Sequence, residues 1–298
     1  MLLLMVWFET GAARRPVSSE IPLLIVVPSP SEALQPFSSV IITGGSSGIG
    51  KSFIELMTKL KPELVVCNLS RRDPGIKSLA EKLNHFGCDL SRPAEVERAA
   101  REVQEFLGRR GPNGGLLLIN NSGFGTMGPF PEAELGKQLA MIDLNVRAVV
   151  QLTGLLLPLL RARGGAIMNI ASTAAFQPTP SMATYGATKA FVLHWSHALN
   201  YELRGSGVRA IAVCPGTTRT EFFKTAGLKP GNRADSLAMS SEEVVLASLQ
   251  ALGAKRSQVV TGWKNKVATF ASSPVPKPFA TRVAGKVLAT YRRLQSKS

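Results

Sequence analysis

The stretch SSVIITGGSSGIGKSF, residues 38–53, restricts the possible folds of this 298-residue chain more than any other feature. An apolar run leads into a glycine turn that includes Gly44, Gly48 and Gly50, and a helical pattern follows. A strand that enters a helix through such a turn leaves free backbone N–H groups and the positive end of the helix dipole at one point. Because glycines carry no side chains, a pyrophosphate can approach this backbone closely. The turn predicts a dinucleotide site.

Apolar runs and helix-length segments alternate from residue 39 to residue 262. Seven runs have the length of strands: SVIIT, ELVVCNL, HFGCD, GLLLIN, GAIMNIA, VRAIAVCP and QVVTG. Most are continuously apolar rather than alternating, which indicates strands buried on both faces of a parallel sheet. We therefore predict an α/β fold with a doubly wound parallel sheet of seven strands, a Rossmann fold, in a single domain.

The segments outside this alternation define the predicted boundaries. Residues 1–36 are assigned to an N-terminal extension that we expect to be poorly ordered, residues 37–262 to the nucleotide-binding catalytic domain, and residues 263–298 to a basic C-terminal tail. SSPVPKPF, residues 272–279, is predicted to be a linker because three prolines oppose a helix there. The apolar runs near the N-terminus are too short to span a bilayer, and we expect neither a secretory signal nor a transit peptide.

The positive charge of the chain is concentrated in its tail. The net charge is +15, of which residues 1–36 carry −1, residues 37–262 carry +8, and residues 263–298 carry +8 without one acidic residue. From Phe279 to Leu294 the pattern predicts an amphipathic helix with a basic side. Two interpretations remain open: a helix that packs on the domain as a lid, or a peripheral contact with an anionic membrane. No recognition motif accompanies the charge, so nucleic acid is not an expected partner.

The sequence CNLSRRDP, at the end of the second predicted strand, concerns the choice of cofactor. Sites that select NAD usually place an acid here for the ribose 2′-hydroxyl, whereas arginine matches a 2′-phosphate. Arg71 and Arg72 occupy this position, and Asp73 comes after them. The expected cofactor is therefore NADP(H). The alternative is a solvated basic pair at the end of a strand.

Tyr185 and Lys189 form the central pair of candidate catalytic residues. They lie four positions apart in TYGATKA, on one face of a predicted helix. A neighbouring ammonium stabilises phenolate, so we expect the pKa of Tyr185 to be lowered toward the range of a general acid. Ser172 follows the strand-like run AIMNIA and could meet Tyr185 where that strand ends.

Taken together, these motifs resemble the short-chain dehydrogenase/reductases, in their short, single-domain, NAD(P)-dependent branch. TGGSSGIG, NNSG at residues 120–123, Ser172, YGATK and PGTTRT occur in the family's order between residues 38 and 262. Two departures are small: Ser122 replaces the usual alanine of NNAG, and Ala171 replaces one of two adjacent serines.

The resemblance implies a role for each matching residue. Tyr185 would transfer a proton, Ser172 would hydrogen-bond the substrate oxygen, and Asn145 would hold a water in the proton relay. Lys189 would bind the nicotinamide ribose and lower the pKa of Tyr185. The implied cofactor-binding set is Gly44, Ser46, Ser47, Gly48, Ile49, Gly50, Arg71, Arg72, Asp89, Leu90, Asn121, Ser122, Gly123, Tyr185, Lys189, Pro215, Gly216, Thr218 and Thr220.

The function expected from these residues is NADP(H)-dependent interconversion of a carbonyl and an alcohol. Apolar residues near the motifs favour a small hydrophobic substrate: Phe124, Met127, Phe176, Phe222, Phe223 and Leu228. One alternative is a sugar-nucleotide epimerase, although Lys51 occupies its third glycine position. The other is a non-enzymatic NADP-sensing or scaffold protein with the same fold, although every catalytic position is filled.

Assembly, location and metal content are predicted from residues outside these motifs. The helix after Tyr185 is apolar on more than one face, and the resemblance implies subunit contacts there, so we expect a homodimer or homotetramer. The cysteines Cys67, Cys88 and Cys214 form no CxxC pair and are interpreted as buried small hydrophobes in a reducing compartment. We therefore expect a cytoplasmic location, with peripheral membrane contact as the alternative, and the spacing of the histidines suggests no metal site.

Overall fold

The computed structural model describes residues 28–79, 82–220, 238–272 and 274–296, with side chains up to residue 286. Its strands are β1 (Phe37–Thr43), β2 (Val65–Ser70), β3 (Leu83–Gly87), β4 (Gly115–Asn120), β5 (Gly165–Ile170), β6 (Val208–Cys214) and β7 (Gln258–Val260). Its α-helices are α1 (Pro30–Leu34), α2 (Gly48–Leu60), α3 (Pro93–Arg110), α4 (Leu135–Ile142), α5 (Ala148–Arg163), α6 (Ala183–Glu202), α7 (Ser241–Gly253), α8 (Trp263–Ser272) and α9 (Lys277–Ser296). One π-helical turn, Asp143–Arg147, joins α4 to α5.

All seven strands form one parallel sheet in the order β3-β2-β1-β4-β5-β6-β7. This confirms the predicted fold class and the seven strands. Buried residues of α1, α2 and α7 cover one face of the sheet, and those of α3, α5 and α6 cover the other. Burial on both faces explains why strands such as LLLIN carry no alternating polar residues.

The order of the strands determines where the site lies. The chain runs outward from β1 through β2 to β3 and then returns to β4 on the other side of β1. In such sheets, ligands bind at the carboxyl ends of the strands where the direction reverses. The glycine turn after β1 and the NNSG segment after β4 both lie at this point.

The N-terminal boundary differs from the prediction. Within the predicted extension, residues 28–36 include α1, which begins with a capping box between Ser29 and Glu32 and buries Leu34 completely. The ammonium of Lys61, at the end of α2, donates to the carbonyl of Gln35 at 3.0 Å and to that of Phe37 at 2.9 Å. The domain therefore begins before residue 37, and the rest of the extension lies outside the described residues.

The C-terminal boundary is also corrected. The predicted linker at residues 272–279 is shorter, because α8 extends to Ser272 and α9 begins at Lys277. Pro278 lies in the first turn of α9, where a missing N–H breaks no helical hydrogen bond. One side of α8 faces the sheet's carboxyl edge, with Thr269 buried. Part of the tail therefore belongs to the domain.

One described helical run, Leu135–Arg163, is long and apolar enough to cross a membrane, and an 18-residue window within it has a mean hydropathy of 1.4. It comprises α4, the π turn and α5. Its residues Leu152, Leu156 and Leu160 pack in the core against the sheet. One side of the run therefore packs on the sheet as part of the domain.

The three cysteines match the prediction of buried small hydrophobes. Cys67, Cys88 and Cys214 are free and buried in the structure. Burial raises the pKa of each thiol to about 12, which keeps all three in the unreactive thiol form at neutral pH.

Candidate active site

The glycine turn forms an open helix N-terminus at the carboxyl edge of β1. Gly44 and Gly48 have φ angles of +72° and +54°, in the left-handed region that glycine adopts readily. A Cβ on Gly44 would lie 2.7 Å from the Ser122 hydroxyl. Ser47 is the N-cap residue of α2, and its side chain makes no capping hydrogen bond. The first N–H groups of this helix therefore point toward the cleft without helical partners.

Two polar side chains hold the turn in place, and the sequence analysis overlooked both. The amide oxygen of Asn68, on β2, accepts from the N–H of Gly45 at 2.9 Å. The hydroxyl of Thr43 accepts from the N–H groups of Asn121 and Ser122, both at 2.9 Å. These bonds join the ends of β1, β2 and β4. A polar residue inside an otherwise apolar strand was the available signal for Asn68.

Arg71 and Arg72 follow β2 and line the same cleft in exposed positions. Asp73 does not line it, because its carboxylate accepts from the N–H of Gly75 and closes a local turn. The cationic pair therefore lines the cleft where β2 ends.

Asp89 and Leu90 follow β3 and also line the cleft. Burial opposes ionisation of Asp89, but hydrogen bonds from Ser91 and the charges of Arg71 and Arg92 outweigh it and lower its pKa. The Asp89 carboxylate is thus an anionic acceptor at the far end of the cleft at neutral pH.

The NNSG segment after β4 closes the cleft from the other side. Asn121, Ser122 and Gly123 all line it. The amide nitrogen of Asn121 donates to the carbonyl of Thr43 at 2.9 Å. A Cβ on Gly123 would lie 2.9 Å from the Asn145 amide oxygen and 3.3 Å from the Lys189 ammonium, so glycine permits this close packing.

Asn145 does not line the cleft and lies behind it, almost fully buried in the π turn. Its amide oxygen accepts from the N–H of Phe124 at 3.1 Å, and its amide nitrogen donates to the Phe124 carbonyl at 3.0 Å. A further bond runs to the Thr188 hydroxyl at 3.0 Å. In this structure Asn145 therefore positions the loop after β4 relative to α6. Its implied role in holding a water stays a prediction.

Ser172 and Tyr185 meet as predicted. Ser172 follows β5, where its hydroxyl accepts from the N–H of Ala174 at 3.1 Å. Tyr185 lies in the first turn of α6, is 9% exposed, and shares a side-chain hydrogen bond with Ser172. Both residues line the cleft. The two hydroxyls can therefore bind one substrate oxygen together.

Lys189 lies one helical turn after Tyr185 and is buried. Its ammonium donates to the carbonyl of Ile170 at 2.8 Å and lies 5.9 Å from the centroid of the Tyr185 ring. Burial lowers the pKa of Lys189 to about 8. The side chain is thus fixed between the end of β5 and the cleft.

The expectation of a lowered pKa for Tyr185 is not met. Burial raises its pKa to about 12, although the hydrogen bond with Ser172 acts in the opposite direction. The sequence spacing placed the Lys189 ammonium on the same helix face as Tyr185, but it did not show how deeply this face is buried from solvent. A high pKa keeps the tyrosine protonated at neutral pH, the form that can donate a proton.

The remaining predicted cofactor residues divide into those that line the cleft and one that does not. Pro215, Gly216, Thr218 and Thr220 line it in the loop after β6, as do Ser46, Ser47 and Ile49. Gly50 does not line it; a Cβ there would collide with the Gly44 carbonyl, so this glycine serves helix packing.

The cleft has a volume of about 1090 Å³ and continues beyond Tyr185 into an apolar end. Phe124 lines it as predicted, but Met127 and Phe176 do not, and Phe222, Phe223 and Leu228 lie outside the described residues. Helices α8 and α9, which the sequence analysis placed in a separate tail, form this end. Their lining residues include Ala268, Thr269, Phe279, Ala280 and Val283, and Val275 lines the cleft from the segment between the two helices.

The residues present fit a dinucleotide. The uncapped start of α2 suits a pyrophosphate, and the left-handed glycines leave it unobstructed. The cationic pair after β2 suits a 2′-phosphate, and the cleft is long enough to extend from Asp89 to Tyr185. The hydroxyl pair and the dinucleotide cradle thus open into one cleft.

Comparisons with known proteins agree with this geometry. The model of the family described as short chain dehydrogenase matches residues 38–230. Sulfoacetaldehyde reductase 2 of Chromohalobacter salexigens is 31% identical over 220 residues, 69% of this chain and 84% of that protein. Very-long-chain 3-oxoacyl-CoA reductase of Phaeosphaeria nodorum is 30% identical over 256 residues, 82% of this chain and 73% of that protein.

A solved structure is also similar to this chain. The short-chain dehydrogenase from Sphingobium yanoikuyae in complex with NADPH is 31% identical, with a TM-score of 0.65. The match covers 75% of this chain and 87% of that one.

Proposed function

The chain belongs to the short-chain dehydrogenase/reductase family, and on that premise we propose that it is an NADPH-preferring reductase of hydrophobic carbonyl compounds. Family membership itself makes it an oxidoreductase that acts on alcohols and carbonyls with NAD(P). The cofactor preference, the substrate class and the role of each residue are the content of the proposal.

The observation that carries the proposal is the hydrogen-bonded pair of Tyr185 and Ser172 on the wall of the dinucleotide-sized cleft. Two hydroxyls at one point can hold a carbonyl oxygen and donate a proton to it. The apolar end of the cleft then receives the rest of the substrate.

In the proposed reduction, NADPH supplies the hydride that reaches the carbonyl carbon. The Ser172 hydroxyl donates to the substrate oxygen and fixes its position. Tyr185 then gives its proton to this oxygen, and the Lys189 ammonium stabilises the phenolate that forms. Asn145 holds the loop beside Lys189 and keeps the wall of the cleft rigid.

The preference for NADP(H) rests on the charges after β2. The exposed guanidinium groups of Arg71 and Arg72 can make charge-assisted bonds to a 2′-phosphate. The carboxylate of Asp73 accepts from the N–H of Gly75 and does not line the cleft, which supports recognition of a 2′-phosphate over a 2′-hydroxyl.

The substrate class rests on the lining of the apolar end. Phe124, Phe279 and Val283 present carbon surface there, which favours a ketone, aldehyde or acyl-type substrate over a free sugar. The 3-oxoacyl-CoA reductase among the relatives supports an acyl-type substrate.

A homodimer or homotetramer is also part of the proposal. Large apolar side chains are exposed on two neighbouring elements, including Leu135 and Leu139 of α4 and Phe191 of α6. A surface of this kind is typical of an interface between copies. The free, buried cysteines fit the proposed cytoplasmic location.

The test is a screen for NADPH oxidation against ketones, aldehydes and acyl thioesters of increasing chain length. The Tyr185→Phe variant serves as the blank for non-enzymatic oxidation. We expect turnover that rises with the apolar length of the substrate. Tight NADPH binding without turnover of any compound would instead favour the NADP-sensing alternative.

A further inference from the structure

Helix α8 has one apolar face that points away from the protein. Its inner side, with Asn265 and Thr269, faces the cleft. On the opposite side, Trp263 is 71% exposed, Val267 61% and Phe270 84%. These three residues, spaced by four and three positions, form a stripe that we call the α8 face. A water-facing stripe of this size is unusual for a single surface helix.

Lysines flank the α8 face on both sides. At 100° per residue, Lys264 and Lys266 lie on either edge of the stripe, and both are exposed. The Lys264 ammonium lies 5.7 Å from the centroid of the Trp263 ring. Long basic side chains beside an apolar stripe can extend toward anionic groups while the stripe is buried.

Helix α9 carries further exposed apolar residues, which lie at the mouth of the cleft. Phe279 is 60% exposed and Val283 47% exposed, yet both also line the cleft. Arg282 and Lys286, both exposed, lie on the adjoining side of the helix. The Lys277 ammonium donates to the carbonyl of Phe176, and Gly285 packs near Pro180, so α9 is held against the loop before Tyr185. Exposed apolar side chains therefore lie both on the α8 face and at the mouth of the cleft.

The charge of this region indicates which partner fits. Residues 263–298 carry eight basic residues and no acidic one. A second copy of the same surface would meet it with the same charge, which opposes self-association. An anionic bilayer offers both negative headgroups for the lysines and a hydrocarbon boundary for the aromatic side chains.

We propose that the α8 face and the exposed side of α9 dock on an anionic lipid bilayer, with the mouth of the cleft opening at the membrane surface. Trp263, Val267 and Phe270 enter the headgroup region, and the surrounding lysines and arginines bind the anionic headgroups. A substrate with an apolar chain can then pass from the bilayer past Phe279 and Val283 to Tyr185. This assigns the apolar part of the contact to α8, whereas the sequence pattern pointed only to the tail helix.

The test uses the full-length chain and sedimentation with vesicles of phosphatidylcholine, with and without phosphatidylglycerol. We expect binding to the anionic vesicles at low salt and weaker binding at high salt. Phe270→Ser should weaken it by roughly tenfold, whereas Phe130→Ser, an exposed phenylalanine elsewhere, should not. Lys264→Gln with Lys266→Gln should weaken it by about 25-fold.

Two further measurements complete the test. Arg109→Gln with Arg110→Gln removes the same charge at the distant end of α3 and should have little effect on vesicle binding. On binding, tryptophan emission should shift to the blue and be quenched by lipids brominated in the acyl chain, and Trp263→Phe should remove this part of the signal. None of these readouts needs turnover, so they can fail or succeed independently of the proposed reductase activity.

Three results would overturn the proposal. One is the absence of binding to anionic vesicles at low salt by a protein that still binds NADPH. Another is vesicle binding that is weakened equally by Phe270→Ser and Phe130→Ser, or equally by the double lysine variant and the double arginine variant. The third is a concentration-dependent dimer that Phe270→Ser dissociates, since this would assign the α8 face to a second copy of the chain.

Discussion

Replacing Arg71 and Arg72 by alanine is expected to remove the preference for NADPH while leaving NADH binding almost unchanged. Both side chains line the cleft after β2, and both are exposed. A hydrogen bond to a charged group contributes ~1.5 to 3 kcal/mol in a protein. Exposure to water screens such contacts, so the lower half of this range applies. The double variant should therefore lose roughly tenfold in NADPH affinity, with hundredfold as the upper limit.

Comparing the affinities for NADPH and NADH isolates the contribution of the 2′-phosphate to binding. Arg71 also lowers the pKa of Asp89, but this effect concerns the part of the cofactor that NADH and NADPH share. It therefore cancels in the ratio of the two affinities. Both cofactors are titrated by fluorescence against the wild type, the double variant and a control with Arg109→Ala and Arg110→Ala. Equal affinities in the wild type, or equal losses for both cofactors in the double variant, would refute the reasoning.

Three further outcomes concern stability, pH dependence and assembly. Lys61→Met should lower the free energy of unfolding by about 2 kcal/mol in urea titrations, because it removes the ammonium that donates to the buried Phe37 carbonyl and to the part-buried Gln35 carbonyl. The exposed Lys59→Met should not lower it. The rate of carbonyl reduction should be highest below pH 8 and should fall as the pH rises through this value. The pKa of Lys189 is lowered to about 8, so above this pH the side chain loses the charge that stabilises phenolate. A pH–rate profile that is unchanged in Lys189→Met would contradict this. Light scattering should show a dimer or tetramer that Phe191→Glu dissociates, and a 31.8 kDa wild-type species at micromolar concentration would exclude it.

The fold could be predicted because its signals are local and repeated. The strand GLLLIN and the helix GIGKSFIELMTKL have the predicted bounds, since a glycine marks the start of each and the pattern of apolar residues changes at its end. The candidate catalytic set was equally accessible, because Tyr185 and Lys189 share one helix and Ser172 comes shortly after a strand.

The parts that sequence reasoning missed depend on contacts between distant segments. Nothing near Asn68 indicates that its amide holds the N–H of Gly45, since the two come together only when β1 and β2 pair. The prolines near residue 276 indicated a break in the chain, but not that α8 and α9 return to the mouth of the cleft. The packing of Gly216 directly against Asn265 becomes visible only in three dimensions.

Ionisation was the least predictable property for the same reason. The spacing of Tyr185 and Lys189 suggested that the ammonium would lower the pKa of the phenol. Burial has the larger effect and raises it to about 12, while the same burial lowers the pKa of Lys189 to about 8. The extent of burial depends on β5, the NNSG loop and α6 together, and no single motif contains this information.

The central claim, that Tyr185 donates the proton in a carbonyl reduction, is tested most directly by single-turnover kinetics of Tyr185→Phe with saturating NADPH. Tyr201→Phe, an exposed tyrosine near the end of the same helix, serves as the matched control. We predict that Tyr185→Phe lowers the rate of the chemical step by ~10² to 10⁴ while the affinity for NADPH changes less than about threefold. A Tyr185→Phe protein that reduces an accepted carbonyl compound at the wild-type rate would contradict the account.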